Sequence, residues 1–202
     1  MRVGVDLGGT KIEAIALEGG QVRARRRVST PAADGYVAEL VRAVEAEAGV
    51  EGTVGVGTPG AISPATGLLR NSNTTCLNGR PLDRDLRRAL GREVRIANDA
   101  DCFALSEAVD GAAAGAPTVF GVIAGTGTGA GVVVRGALLS GPNAIAGEWG
   151  HIPLPSPADD ERPGPACYCG RRGCVETWIS GPGLAADHAR RTGEALDPPA
   201  IV

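Results

Sequence analysis

Three cysteines fall within eight positions in CYCGRRGCVE, residues 167 to 176, of a chain that has five in all. Cys167, Cys169 and Cys174, spaced C-x-C-x4-C, offer three soft ligands suited to tetrahedral zinc, and Gly170 and Gly173 let such a loop curl around an ion. A redox dithiol more typically has the C-x-x-C spacing, which is absent. Three sulfurs need a fourth partner from elsewhere. His151 precedes the cluster by a loop of Pro, Asp and Glu, His188 falls in an expected helix after it, and Cys76, Cys102 and Asp159 are the remaining candidates. Four protein ligands would leave no position for an activated water, so such an ion is structural. Cys76 and Cys102 otherwise read as small buried hydrophobes.

A second chemistry lies in two glycine-rich turns. DLGGTK supplies Asp6, Gly8, Gly9, Thr10 and Lys11, and GTGTGAG, residues 125 to 131, begins with Gly125, Thr126, Gly127, Thr128 and Gly129. Successive backbone N–H groups in such turns form a nest for a phosphate that larger side chains would block. Asp6 and Thr10 add a carboxylate and a hydroxyl suited to hydrated Mg²⁺ and a phosphate oxygen. Neither turn is a P-loop: the second lacks the Gly-Lys-Ser/Thr ending and leads into a strand. GVGTPG at 55 to 60 matches G-x-G-x-x-G formally, but Pro59 sits inside it and no helix-forming run follows, so it is a false dinucleotide fingerprint. Taken alone, each turn is an ordinary hairpin; their pairing at matching places in two halves of the chain points to one polyphosphate gripped from both sides. Asn98 and Asp99, at the junction of an expected strand and helix, suit either helix capping or chemistry, and Asp101 is a further acid in the first turn, where the helix dipole favours it.

These residues need elements to hold them. RVGVDLGG, KIEAIAL and QVRARRRV read as an antiparallel meander with its second turn at Gly19-Gly20. Residues 34 to 48 place Val37, Leu40, Val41 and Val44 at helical spacing, with Asp34 as cap and Gly49 as stop. TVGVG is a strand, Leu82, Leu86 and Leu90 mark a helix, EVRIAN a strand, and residues 100 to 115 a further helix. After Pro117 the opening pattern recurs as TVFGVIAG, a glycine turn at 125 to 131, and the strand GVVVRGALLSG, with two helices expected around 175 to 192. The recurrence suggests two related lobes, 1–117 and 118–202, the second carrying fewer elements than the first.

Composition limits the function classes. Hydrophobic residues make up 43% and aromatics only 3%, so the core must come from Val, Ala, Leu and Ile. A net charge of −3 gives no field for nucleic acid, and the one basic run, Arg23 and Arg25 to Arg27, reads as a solvated strand face. No apolar run approaches the roughly 18 residues of a membrane helix, and the odd, clustered cysteine count fits a reducing compartment, so a cytoplasmic protein is expected.

DLGGTK, GVGTPG, NDADCFALSEA, GTGTGAG, GEWGH and CYCGRRGCVE, in this order, resemble the ROK sugar kinases, over essentially the whole chain. The resemblance implies an α/β fold of the actin/hexokinase-like (ribonuclease H-like) type with two lobes, the second truncated. It implies ATP and Mg²⁺ at the two glycine turns and a hexose as acceptor. Asp99 would be the general base for the sugar 6-hydroxyl, with Asn98, Glu148, His151 and Glu176 as further sugar ligands. It also names His151 as the fourth partner of Cys167, Cys169 and Cys174 in a structural zinc site, and a homodimer as the usual assembly. ISPATGLLRNSNTTCLNGRPLDRDL and AGEWGHIPLP look most like the family's fructokinases, with N-acetylglucosamine kinases next, so fructose is the expected acceptor. Asp101 departs from the Asn usual at that place and sets a second negative charge beside the base. The family's adenosine-contacting segment lies beyond residue 202. Sugar-responsive repressors of the family carry a helix-turn-helix ahead of DxGGT, where only five residues precede Asp6. A zinc-stabilised sugar binder without transfer activity is the remaining alternative.

Overall fold

The computed structural model describes residues 1–30, 36–72 and 74–202; the cap expected at Asp34 lies outside them. The expected meander forms as strands β1 (Arg2–Leu7), β2 (Lys11–Glu18) and β3 (Gln21–Ser29), paired antiparallel. Gly19 and Gly20 both have positive φ, which lets the β2–β3 turn follow the strand twist without a Cβ clash. Helix α1 (Tyr36–Ala48) then returns the chain to β4 (Thr53–Thr58), parallel to β1. A two-strand ribbon, β5 (Ala61–Ile62) with β6 (Leu69–Arg70), a 3₁₀ turn at Thr75–Leu77 and helix α2 (Leu82–Leu90) lead to β7 (Val94–Asn98), parallel to β4. The sheet order β3-β2-β1-β4-β7 thus joins an antiparallel half to a parallel half at β1.

The chain separates into two compact units, Met1–Cys102 with Gly141–Ile145, and Phe103–Ser140 with Ala146–Val202. In the first, alternate residues of β1, β2 and β4 (Val3, Val5, Leu7, Ile12, Ala14, Val54 and Val56) pack with Leu40, Val41 and Val44 of α1 and Leu82 and Leu86 of α2. These are the positions that the period-2 and helical spacings mark. The basic run on β3 is neutralised where it stands: Arg23 pairs with Glu18 at 3.1 Å, Arg25 with Glu13 at 3.3 Å, Arg26 with Glu47 at 2.7 Å, and Arg27 with Glu13. Charges on an edge strand also discourage pairing with another sheet.

Helix α3 (Asp99–Val109) opens within the first unit and continues into the second. It is shorter than the expected 100 to 115. The Glu107 carboxylate takes the Ala112 N–H at 2.8 Å and its carbonyl takes that of Ala113, folding GAAAG into turns. Strands β8 (Thr118–Ala124) and β9 (Thr128–Val134) form an antiparallel hairpin, extended by β10 (Ala137–Leu138) in the order β10-β9-β8. This reproduces the antiparallel half of the first sheet. The expected single strand over 131 to 141 breaks at Arg135-Gly136, which turn with positive φ. The glycine turn is tighter than expected, because β9 already begins at Thr128 and only Gly125 to Gly127 form the bend. A long loop follows, then α4 (Glu176–Ile179), α5 (Gly181–Thr192) and α6 (Pro198–Ile201). Among the described residues no helix is long and apolar enough to cross a membrane.

Candidate active site

In the first unit the parallel strands β1, β4 and β7 end side by side, and ligands of open α/β sheets bind at such carboxyl ends. Their register lines Asp6 up with Gly57 and Gly57 with Ala97, and Thr58 with Asn98. Gly57 lies under the first turn of α3: a Cβ there would meet the Cys102 sulfur at 3.4 Å. Partial burial and then the negative charge of Asp99 push the Asp6 carboxyl above its usual range, while Lys11 pulls it down. Asp6 thus has both Asp99 and Lys11 within electrostatic reach. The neighbouring turn is fixed from within, Gly8 N–H donating to Lys11 O at 3.0 Å and the Thr30 hydroxyl to Gly8 O at 2.8 Å.

Asn98 and Asp99 divide their work. The Asn98 Oδ1 accepts the Ala100 N–H at 2.8 Å and the Asp101 N–H at 3.4 Å, and its amide donates to Gly60 O at 3.2 Å. Asn98 therefore caps α3 and ties it to the loop after β4. Asp99 is exposed, with one carboxylate oxygen accepting the Ala100 N–H at 2.9 Å. The GVGTPG match indeed leads into β5 and not into a helix.

In the second unit the cysteines find their partner. The ligand atoms of His151, Cys167, Cys169 and Cys174 all lie within 4.8 Å of one another. The Cys169 and Cys174 sulfurs are 3.6 Å apart, and Cys167 Sγ is 3.5 Å from His151 Nδ1. Tetrahedral zinc bonded to sulfur at about 2.3 Å requires edges of about 3.8 Å, so the cluster fits such an ion and is far too open for a disulfide. The loop is zipped shut by backbone pairs, Leu154 N–H to Gly173 O at 2.9 Å, Gly173 N–H to Pro165 O at 2.8 Å and Cys167 N–H to Arg171 O at 2.8 Å. His188, Asp159, Cys76 and Cys102 stand outside the cluster. Cys76 and Cys102 are exposed rather than buried as expected. Cys76 sits on a lone 3₁₀ turn that buries nothing, and Cys102 lies in the first turn of α3 near Gly57.

Around the cluster the expected sugar ligands converge on a residue that spacing alone does not mark. His151 turns its second nitrogen, Nε2, to the Tyr168 hydroxyl at 3.0 Å, and the two rings meet edge to face. Burial, then the charges of Glu176, Cys167 and Glu148, push the Tyr168 phenol up to about 12, so it stays a neutral hydroxyl. Nδ1 thus faces the sulfurs while Nε2 faces the phenol. Glu176 is buried and accepts the Thr128 N–H at 2.8 Å. At the tip of the second turn the Gly125 N–H goes to Gly127 O at 2.9 Å.

Comparison with known proteins shows the family and the fold. The model of the ROK family matches residues 2–202. The chain is 41% identical over 212 aligned positions to an N-acetyl-D-glucosamine kinase of Pectobacterium atrosepticum, covering all of this chain and 70% of that protein. Among solved structures, a ROK hexokinase from Thermus thermophilus superposes with a TM-score of 0.80 at 37% identity, over 96% of this chain and 65% of that one. A ROK glucokinase from Streptomyces griseus, solved with glucose and AMPPNP, superposes at 0.72 and 30% identity, over 95% and 62%. The chain thus spans about two thirds of the length of these relatives.

Proposed function

Because the chain belongs to the ROK family, we propose that it carries the phosphate-binding and sugar-binding parts of an ATP-dependent sugar kinase with the actin/hexokinase-like fold. The observation that carries the reading is the carboxyl end of the parallel strands: Asp6 on β1 is in register with Gly57 of β4, Asn98 ends β7 beside Thr58, and Asp99 follows it, exposed, at the head of α3. Asp99 takes the proton of the sugar hydroxyl as its oxygen attacks the γ-phosphorus of ATP. The bond from that phosphorus to the bridging oxygen breaks, and ADP leaves. Asp6 and Thr10 hold the hydrated Mg²⁺, and the glycine turns at 8 to 10 and 125 to 127 hold the phosphates, so the protein contributes positioning and charge. Glu148, His151 and Glu176 bind sugar hydroxyls. Zinc, when bound by His151, Cys167, Cys169 and Cys174, fixes their loop.

The acceptor we favour is N-acetyl-D-glucosamine, ahead of the fructose expected from local sequence context. The curated relatives at 41% to 45% identity are named N-acetyl-D-glucosamine kinases, whereas the fructokinase likeness rests on short stretches that contain neither Asp6 nor Asp99. A coupled ADP-release assay over N-acetylglucosamine, glucose, mannose and fructose tests this, run on this chain and on a form extended to the relatives' length. The highest kcat/KM is expected with N-acetylglucosamine; a higher value with fructose would reverse the substrate assignment and leave the kinase reading. A zinc-stabilised sugar-binding unit without transfer is the second reading, motivated by the four-ligand cluster beside the expected sugar ligands. Sugar binding by both forms without ADP release from either would establish it. The homodimer is read from sedimentation of the same samples.

A further inference from the structure

The two segments that bring the cluster its ligands from either side also hold the second glycine hairpin. Upstream, Trp149, two residues before His151, donates its indole N–H to Gly129 O at 3.1 Å. The backbone between them lies against β9 so closely that a Cβ on Gly150 would stand 2.2 Å from Thr128 O. Downstream, Glu176, two residues after Cys174, accepts the Thr128 N–H at 2.8 Å, and its carboxylate fills the space that a Cβ on Gly127 would need. At the other side of the bend, Gly181 N–H at the start of α5 donates to Gly125 O at 2.7 Å. Three backbone groups of the hairpin, on Gly125, Thr128 and Gly129, are therefore satisfied from outside the β8–β9 ladder. Two of the three donors or acceptors stand two residues from a metal ligand.

We propose that the His151–Cys167–Cys169–Cys174 cluster is a clamp on the phosphate hairpin, acting through Trp149 and Glu176 as positioning residues. A metal joining His151 to Cys174 fixes the spacing of the two segments, and hence the grip on Thr128 and Gly129. Metal binding and the shape of the hairpin are then coupled. The link to nucleotide rests on reading residues 125–129 as a phosphate loop; the clamp itself does not.

Hydrogen exchange by mass spectrometry on the full 202-residue chain tests the clamp, zinc-loaded and after chelation. Amides of residues 125–131 should exchange at least about tenfold faster without metal, while those of the β1–β2 hairpin keep their rates. Glu176→Ala should give the same local loosening with one zinc still bound. Glu176→Gln should restore slow exchange, because its amide oxygen accepts the same N–H. Unchanged exchange at 125–131 after chelation, or in Glu176→Ala, overturns the proposal, as does an equal rise in the β1–β2 hairpin. Affinity for AMPPNP, measured on the same samples, separates the two readings. Local loosening without weaker AMPPNP binding would keep the clamp and remove the phosphate role of the hairpin.

Discussion

On the proposed reading, Asp99 accepts a proton while keeping its place at the head of α3. Asn at this position preserves size and the bond to the Ala100 N–H, yet has no basic oxygen. Asp99→Asn is therefore expected to lower kcat by about 10²–10⁴-fold with sugar affinity little changed, read by steady-state kinetics and calorimetric sugar binding. Retention of more than about a tenth of wild-type kcat would reduce Asp99 to a cap. Asp6 carries a different signature. Its carboxyl is raised by partial burial and by Asp99, so the fold binds its proton more tightly than the unfolded chain does. Below the unfolded value of about 3.9 both states are protonated and nothing is lost. As pH rises from there through the raised value, the folded state loses stability relative to the unfolded one. Asp6→Asn should match wild type near pH 3.5 and become the more stable protein toward pH 7, in melting curves without Mg²⁺. Curves that stay superposed across that range would show that no such penalty exists.

The cysteine loop shows how an element with little regular structure is held. Between Ile152 and Val175 it has one 3₁₀ turn, Asp159–Glu161, backed by ion pairs from Asp160 and Glu161 to Arg190 and Arg191 of α5. Exposed pairs of this kind contribute about 0–1 kcal/mol each, so they do not fix the loop. On the proposed reading, a zinc ion held by the four-ligand cluster adds the strong constraint to the backbone pairs that close the loop. One zinc per chain is expected by elemental analysis, and Cys169→Ser should lose it and open residues 155–173 to proteolysis. Stoichiometric zinc in that variant, with the loop still resistant, would move the site elsewhere.

Over the whole molecule, apolar burial is uneven. The first unit buries a continuous Val/Ala/Leu/Ile core, while the main cluster of the second consists of Ala104, Val119 and Val133 with partly buried neighbours. Strand β8 is bonded on one edge among the described residues, and its outward Phe120 and Val122 are 52% and 42% exposed. An open edge beside an apolar face is a surface for dye binding and association. The chain should therefore bind anilinonaphthalene sulfonate, and Phe120→Ser with Val122→Thr should cut that fluorescence at least about twofold. Unaltered fluorescence would place the exposed surface on other residues.

Sequence alone determined whatever depends on neighbours along the chain. Alternation in β1 and β2, the helical spacing of Val37 to Val44, the glycine bends and the three clustered cysteines all express local backbone and spacing rules, and each of those elements is present. Helix α3 ran short of its expected end because the Glu107 side chain competes for the next amides, a contact that propensity does not register. Tertiary structure decided what depends on distant partners. It chose His151 over His188 by bringing residue 151 against a loop sixteen or more residues later. It made Asn98 a cap bonded to Gly60, brought the charge of Asp99 to bear on the partly buried Asp6, and turned Glu176 toward the Thr128 amide. Such contacts follow from sheet order and register, which sum many weak long-range preferences, so no short window of residues contains them.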